Sequence, residues 1–264
     1  MMSKGKVYLI GAGPGDPELL TLKAARLIKE ADVIVYDRLV SSDILDLAPA
    51  TAALLPVGKM PRSHPVPQRD INRLLVRLGG GGLTIVRLKG GDPLIFGRGG
   101  EEALALKEAG VPFEIVPGIT AAQGCAASAL VPLTHRGVAT GVRYVTGHCR
   151  DDEPLDLDWA SLADPDTTLV VYMGFSQIGE IAGHLVEHGL PASTPVAAIA
   201  NGTCANQRVL RSSLATITQD VGAAGFSNPV AFVIGEVAGI CLSPEADLQN
   251  RLRLVETACE AIHA

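Results

Sequence analysis

Apolar residues run along the chain in short blocks separated by glycine- and proline-rich turns, and the blocks alternate between two periods. Residues 7–10 (Val-Tyr-Leu-Ile), 33–36, 84–88 and 113–116 are compact and rich in Val and Ile, which predicts buried strands. Between them, residues 17–31 carry Leu19, Leu20, Leu22, Ala25, Leu27 and Ile28 near helical spacing, with Pro17 suited to a first turn. Residues 70–78 repeat apolar side chains at 71, 74, 75 and 78 and stop at four consecutive glycines. Residues 99–109 predict another helix, and Pro117-Gly118-Ile119-Thr120 opens a small-residue helix that runs to Ala129. The first part is therefore an alternation of strand and helix, the pattern of a largely parallel sheet.

The pattern changes near Thr134-His135-Arg136-Gly137. Strands follow at 143–146, 168–173, 196–200 and 230–234, with a helix over 177–188, and residues 207–211 are placed to pair antiparallel after the Gly202 turn. The prediction is an α/β protein of two domains, 1–137 with a largely parallel sheet and 138–242 with a mixed one. No sequence repeat links the halves. Beyond them, Leu248, Leu252, Val255, Cys259 and Ile262 form one apolar stripe, predicting an amphipathic helix over 243–264.

Composition narrows the function classes. The 264 residues are 47% hydrophobic but only 4% aromatic, so the core is aliphatic. The net charge of −6 argues against a nucleic-acid binder, which needs a basic face, though a few arginines could still hold a small polyanion. No segment approaches the ~18 apolar residues of a membrane span. Met1-Met2-Ser3-Lys4 leads straight into a strand, so no leader is expected. The five cysteines (125, 149, 204, 241, 259) show neither paired nor metal-ligand spacing. Reduced thiols, no metal and a cytoplasmic location are the expectations.

The turn after the first strand, Gly11-Ala12-Gly13-Pro14-Gly15-Asp16-Pro17, is not a dinucleotide fingerprint. That fingerprint needs glycine at its sixth position, where Asp16 stands and would repel a pyrophosphate. Pro14 and Pro17 also lack the amides that cradle phosphate. A nucleoside without phosphates fits better, and S-adenosylmethionine is one whose sulfonium tolerates nearby carboxylates. The run from Arg87-Leu88-Lys89-Gly90-Gly91-Asp92 to Gly97-Arg98-Gly99-Gly100-Glu101-Glu102 is dense in glycine and charge, and suits a site at a strand end. Arg98 and Glu101 lie three apart, on one helical face.

These motifs occur in order with Tyr36-Asp37-Arg38, Val57-Gly58-Lys59, Pro117-Gly118-Ile119-Thr120-Ala121, Thr134-His135-Arg136, Tyr172-Met173-Gly174 and Asn201-Gly202-Thr203. Together they resemble the uroporphyrinogen-III C-methyltransferases of the tetrapyrrole methylase family, from about Val7 to Val237. The resemblance implies two α/β domains with the active site in the cleft between them, and a homodimer. It implies two methyl transfers from S-adenosylmethionine to uroporphyrinogen III, at ring carbons 2 and 7. These give precorrin-2 via precorrin-1, for siroheme, cobalamin or heme d1, with S-adenosylhomocysteine released. It maps Pro14, Gly90, Gly91, Asp92, Ile95, Thr120, Ala121, Met173 and Gly202 onto cofactor contacts. It maps Asp37 and Lys59 onto a proton acceptor and donor, with Arg98 and Glu101 beside them in the catalytic set, and Arg38 and Arg136 onto substrate binding.

The chemistry agrees with that assignment. An electron-rich pyrrole carbon needs no activated side-chain nucleophile, so positioning and proton removal would carry the catalysis. Arginine forks suit a substrate with eight carboxylates. Asp37, Glu101 and Arg98 all stand as candidates for the group that removes the proton. Met60 and Gly137 depart from the usual pattern, where relatives often carry an arginine and an acid. The competing readings are a methylase acting on a later corrin precursor, a nicotinamide-dependent oxidoreductase, and a non-catalytic tetrapyrrole- or nucleoside-binding module.

Overall fold

The computed structural model describes residues 5–58, 66–148, 155–240 and 242. Lys59, Met60 and the predicted helix over 243–264 lie outside the described residues. The described residues form two compact units. One holds the residues up to Cys125 together with Ala200–Arg208; the other holds Ala126–Ile199 and the residues from Val209 onward. The turn at 135–139, where the sequence suggested a boundary, falls inside the second unit.

The first unit is a five-stranded sheet of order β3-β2-β4-β1-β5. Its strands are β1 (Lys6–Gly11), β2 (Val33–Tyr36), β3 (Ala53–Pro56), β4 (Thr84–Lys89) and β5 (Phe113–Val116). All pairings are parallel, so every strand ends at the same edge. Side chains alternate across the sheet. Ile10, Ile34, Val86 and Leu88 join α1 (Leu22–Lys29) and α2 (Ser42–Leu45) in one apolar layer. Val7, Leu9, Val33, Val35 and Ile85 form the other, against α3 (Gln68–Gly79) and α4 (Gly99–Glu108). Aliphatic residues on both faces are what a doubly covered parallel sheet requires.

Two local predictions are corrected. The helix expected over 17–31 is a 3-10 turn, Pro17–Leu19, followed by α1 from Leu22. Leu20 is extended between them (φ −68°, ψ 143°), and the Thr21 hydroxyl accepts the Ala24 amide at 3.1 Å to start the true helix. Strand β3 was not anticipated. Its Ala-Leu-Leu-Pro sequence has no β-branched residue, and Pro56 is tolerated because β3 is an edge strand.

The second unit carries a mixed sheet of order β6-β7-β10-β8-β9. Its strands are β6 (Gly141–Thr146), β7 (Thr167–Tyr172), β8 (Pro195–Ala200), β9 (Arg208–Ser213) and β10 (Val230–Ile234). β6 runs parallel to β7, and β10 antiparallel to it. Helix α5 (Ala121–Ser128) carries the chain from the first unit into the second; α6 (Trp159–Leu162), α7 (Ile178–Glu187) and α8 (Ile217–Ala223) follow among the described residues.

Candidate active site

Parallel strands place their carboxyl ends side by side, and ligands bind outside such edges. Here the loops following β1, β4 and β5 come into backbone contact. A Cβ on Gly118 would stand 2.3 Å from the Gly91 carbonyl oxygen, and one on Gly11 would stand 2.5 Å from the Gly118 nitrogen. Only glycine permits this approach. Gly91 also takes φ +68°, and a Cβ there would face Thr120 Cα at 3.8 Å and the Ala121 nitrogen at 3.6 Å. Asp92 ties two of the loops together: one carboxylate oxygen accepts the Leu94 amide at 2.8 Å, the other the Gly118 amide at 3.1 Å. Pro14 lies against Gly124 of α5, whose added Cβ would reach the proline ring at 2.4 Å. Pro14, Gly91, Asp92, Thr120 and Ala121, predicted together, are therefore neighbours at one edge of the sheet.

The glycine turn after β1 spends its amides internally. Ala12 donates to the Lys89 carbonyl at 2.7 Å, Gly13 donates to and accepts from Gly91, and Asp16 donates to Thr203 Oγ1 at 3.2 Å. The Asp16 carboxylate accepts the Glu18 amide at 2.8 Å and caps the 3-10 turn. With Pro14 and Pro17 contributing no donors, this turn is not a pyrophosphate cradle. Gly202 sits on Cys125, its added Cβ 2.3 Å from the sulfur. Burial pushes the Cys125 thiol up to about 11, so it serves packing, not nucleophilic chemistry. Gly90 lies against Leu39, in the loop that carries Asp37 and the exposed Arg38.

The loop between β4 and α4 folds over Pro93, whose carbonyl oxygen would meet a Cβ on Gly97 at 2.8 Å or on Gly99 at 2.4 Å. It presents Leu94, Ile95 and Phe96 to solvent, and holds Phe96 (φ +52°) and Arg98 (φ +58°) in the left-handed region. Non-glycine residues there store strain, which collects at functional sites. Arg98 grips Glu101 by two hydrogen bonds of 2.7 Å. That bond raises the Arg98 pKa further, so its guanidinium stays charged.

Met173 (φ +54°, exposed) and the exposed Arg136 belong to the second unit. Gly137 takes φ +77° in the turn after Arg136, which accounts for glycine at that position. Among the described residues, one trio on α7 and its end, His184, Glu187 and His188, has potential metal-ligand atoms within 4.8 Å of one another.

Sequence reasoning missed a set of charges beneath the site. Arg87 and Lys89 point from β4 into the α3/α4 layer, and Glu102 of α4 meets them there. Arg87 and Glu102 are 1% and 0% exposed. Glu102 Oε1 accepts Arg87 Nε at 3.0 Å, Lys89 Nζ at 2.9 Å and Gln68 Nε2 at 3.2 Å. Arg87 Nη2 donates to Asp37 Oδ1 at 2.7 Å, and Lys89 Nζ lies 3.7 Å from Asp37 Oδ2. Burial, with the Arg87 charge adding to it, lowers the Lys89 pKa. The available signal was two cations at alternate positions of an otherwise apolar strand.

Known proteins agree with this architecture. The family model for Tetrapyrrole (Corrin/Porphyrin) Methylases matches residues 6–218. A uroporphyrinogen-III C-methyltransferase of Paracoccus denitrificans is 54% identical over 254 residues, 95% of this chain and 88% of that protein. A siroheme synthase of Methylococcus capsulatus is 53% identical over 89% of this chain, but the match spans only 50% of that longer protein. The crystal structure of a uroporphyrin-III C-methyl transferase from Thermus thermophilus, complexed with S-adenosyl homocysteine, superposes with a TM-score of 0.75. It is 40% identical and covers 88% of this chain and 92% of that one. With the family pattern running through both units and its glycine turn built as a non-phosphate site, this chain belongs to the tetrapyrrole methylases.

Proposed function

We propose that the chain methylates uroporphyrinogen III with S-adenosylmethionine at ring carbons 2 and 7, giving precorrin-2 through precorrin-1. The observation that carries this reading is the glycine contact among the β1, β4 and β5 loops. It consumes the Ala12 and Gly13 amides that a dinucleotide would need, and leaves a close-packed floor of Pro14, Gly91, Thr120 and Ala121. Such a floor suits a nucleoside cofactor without a pyrophosphate. The relatives named for the same reaction support the substrate.

S-adenosylmethionine supplies an electrophilic methyl group, which an electron-rich pyrrole carbon can attack without an activated side chain. The residues of the chain bind, orient and move protons. Gly90, Gly91, Asp92, Ile95, Thr120, Ala121 and Gly202, with Pro14 and Met173, hold the cofactor. Arg38 and Arg136 take substrate carboxylates, which arginine forks bind in pairs. The exposed apolar side chains of Leu94, Ile95 and Phe96 give the β4–α4 loop an apolar surface for the pyrrole rings of the substrate. Asp37 and Lys59 serve as proton acceptor and donor, and Arg98 with Glu101 orients the reacting ring. Arg98 is a poor base because Glu101 holds its charge in place.

The reading extends to a cytoplasmic homodimer, with siroheme, cobalamin and heme d1 as uses of the product. The siroheme synthases among the relatives favour siroheme. The test is anaerobic incubation with both substrates, followed by mass spectrometry. Two added methyl groups, with S-adenosylhomocysteine formed, are expected. Cofactor binding without methyl gain would overturn the substrate assignment.

A further inference from the structure

Four charged side chains converge where β2 and β4 end, and they are not equivalent. Glu102, Arg87 and Lys89 are shut away from solvent, while the Asp37 side chain remains 31% exposed. A buried ion cluster is a poor stability device, because apolar residues of the same volume do as well or better. The geometry has a different logic. Glu102 Oε1 gathers donors from β4 twice and from α3 once, so one carboxylate oxygen locks both cations. The Arg87 fork then points one nitrogen back at Glu102 and another at Asp37. Arg87 faces one Asp37 oxygen and Lys89 the other, and the Asp37 backbone is tied to the Leu88 carbonyl at 3.4 Å.

We infer that Arg87 and Lys89, anchored by Glu102, are positioning residues that hold the Asp37 carboxylate in one orientation toward the substrate. The inference rests on the proposed methyl transfer for the role of Asp37, and on the geometry alone for its placement. Both donors facing Asp37 come from the central strand β4, and the carboxylate that anchors them from helix α4, the rigid parts of the unit, so the aim of Asp37 is fixed before substrate arrives. A lysine at position 87 would keep the charge but could not reach both carboxylates at once.

A double-mutant cycle tests this. Arg87→Lys and Glu102→Gln are each made in the wild-type and Asp37→Asn backgrounds, with S-adenosylhomocysteine binding confirming that each variant is folded. Each should lower kcat by up to about a hundredfold, the scale of a reacting group displaced by an ångström, with KM for S-adenosylmethionine unchanged. In the Asp37→Asn background the same changes should have almost no further effect, because they act through Asp37. In crystals of either variant the Asp37 carboxylate should be turned from its wild-type position. Equal losses in both backgrounds, or an unmoved Asp37, would overturn the inference. If the wild-type protein adds no methyl to uroporphyrinogen III, the functional reading fails by itself. The position of Asp37 in the variant crystals then still decides the structural claim.

Discussion

Two arginines eleven positions apart show how environment sets what a charge does. Arg98 and Glu101 are both about half exposed, with side-chain exposures of 56% and 51%, so water competes for each. Removing Arg98 should change stability by less than about 1 kcal/mol, whatever it does to turnover. Arg87 has no such solvent. Arg87→Leu would leave Glu102 with one cation, Lys89, beside the Gln68 amide, and strip Asp37 of its 2.7 Å donor. Breaking a buried pair from one side costs about 3–5 kcal/mol. Urea unfolding of the two variants side by side should show a large fall in midpoint for Arg87→Leu and almost none for Arg98→Ala. Equal shifts would mean that the Arg87 cluster is hydrated. The sequence made Arg98 easy to notice, since it stands in a glycine-rich loop beside an acid. It concealed Arg87, because a charge within an apolar run gives no sign of its partners: Glu102 lies on a helix and Asp37 on the loop after another strand.

Among elements, the parallel strands matter through the loops that leave them. Gly118→Ala would set a Cβ 2.3 Å from the backbone oxygen of Gly91, and its nearest neighbours are all backbone atoms, with no side-chain end that can give way. The loops must part, costing about 1–3 kcal/mol by the scale of overpacked cores. Calorimetric titration should show the affinity for S-adenosylhomocysteine reduced at least about tenfold; unchanged affinity would place the cofactor elsewhere. A second link joins β5 to its neighbours: Glu114 bridges Lys6 of β1 at 2.6 Å and Lys23 of α1. The two lysines hold the Glu114 carboxyl down to about 2. A carboxylate depressed in the folded state adds stability above its unfolded pKa, about 4.3, and loses it as pH falls toward 2. Glu114→Gln should therefore melt below wild type at pH 7 and converge with it near pH 2, by a small margin because the bridge is near the surface. Strands β1, β2, β4 and β5 were legible from Val- and Ile-rich runs. The start of α1 was not, because Leu19, Leu20 and Leu22 fit helical spacing, whereas Leu22 is 93% exposed and Thr21 does the capping. The glycine-rich loops were read as a candidate site, but their mutual contact depends on strand order, which a local pattern does not encode.

For the whole molecule, charge poses a problem that the site must solve. The chain carries a net charge of −6, and the proposed substrate carries eight carboxylates, so their long-range interaction is repulsive. On the proposed reading, binding comes from short-range contacts to Arg38 and Arg136, on whichever carboxylates they meet. Salt separates the two effects. Near 0.01 M the screening length is about 30 Å and the whole charge is felt; near 0.15 M it is about 8 Å and only close groups matter. If the arginine contacts dominate, KM for uroporphyrinogen III should rise steadily over that range. S-adenosylhomocysteine has no net charge of comparable size and rests on a floor of glycine, proline and small side chains, so its affinity should stay flat. A KM that instead falls with salt would mean that the net charge governs the encounter, with the arginines acting only after contact. Arg136→Gln sharpens the comparison. It removes one fork, so it should raise KM at low salt and flatten the salt dependence, while leaving cofactor affinity unchanged. An unaltered slope in that variant would remove Arg136 from the substrate clamp and leave Arg38 as its remaining described member.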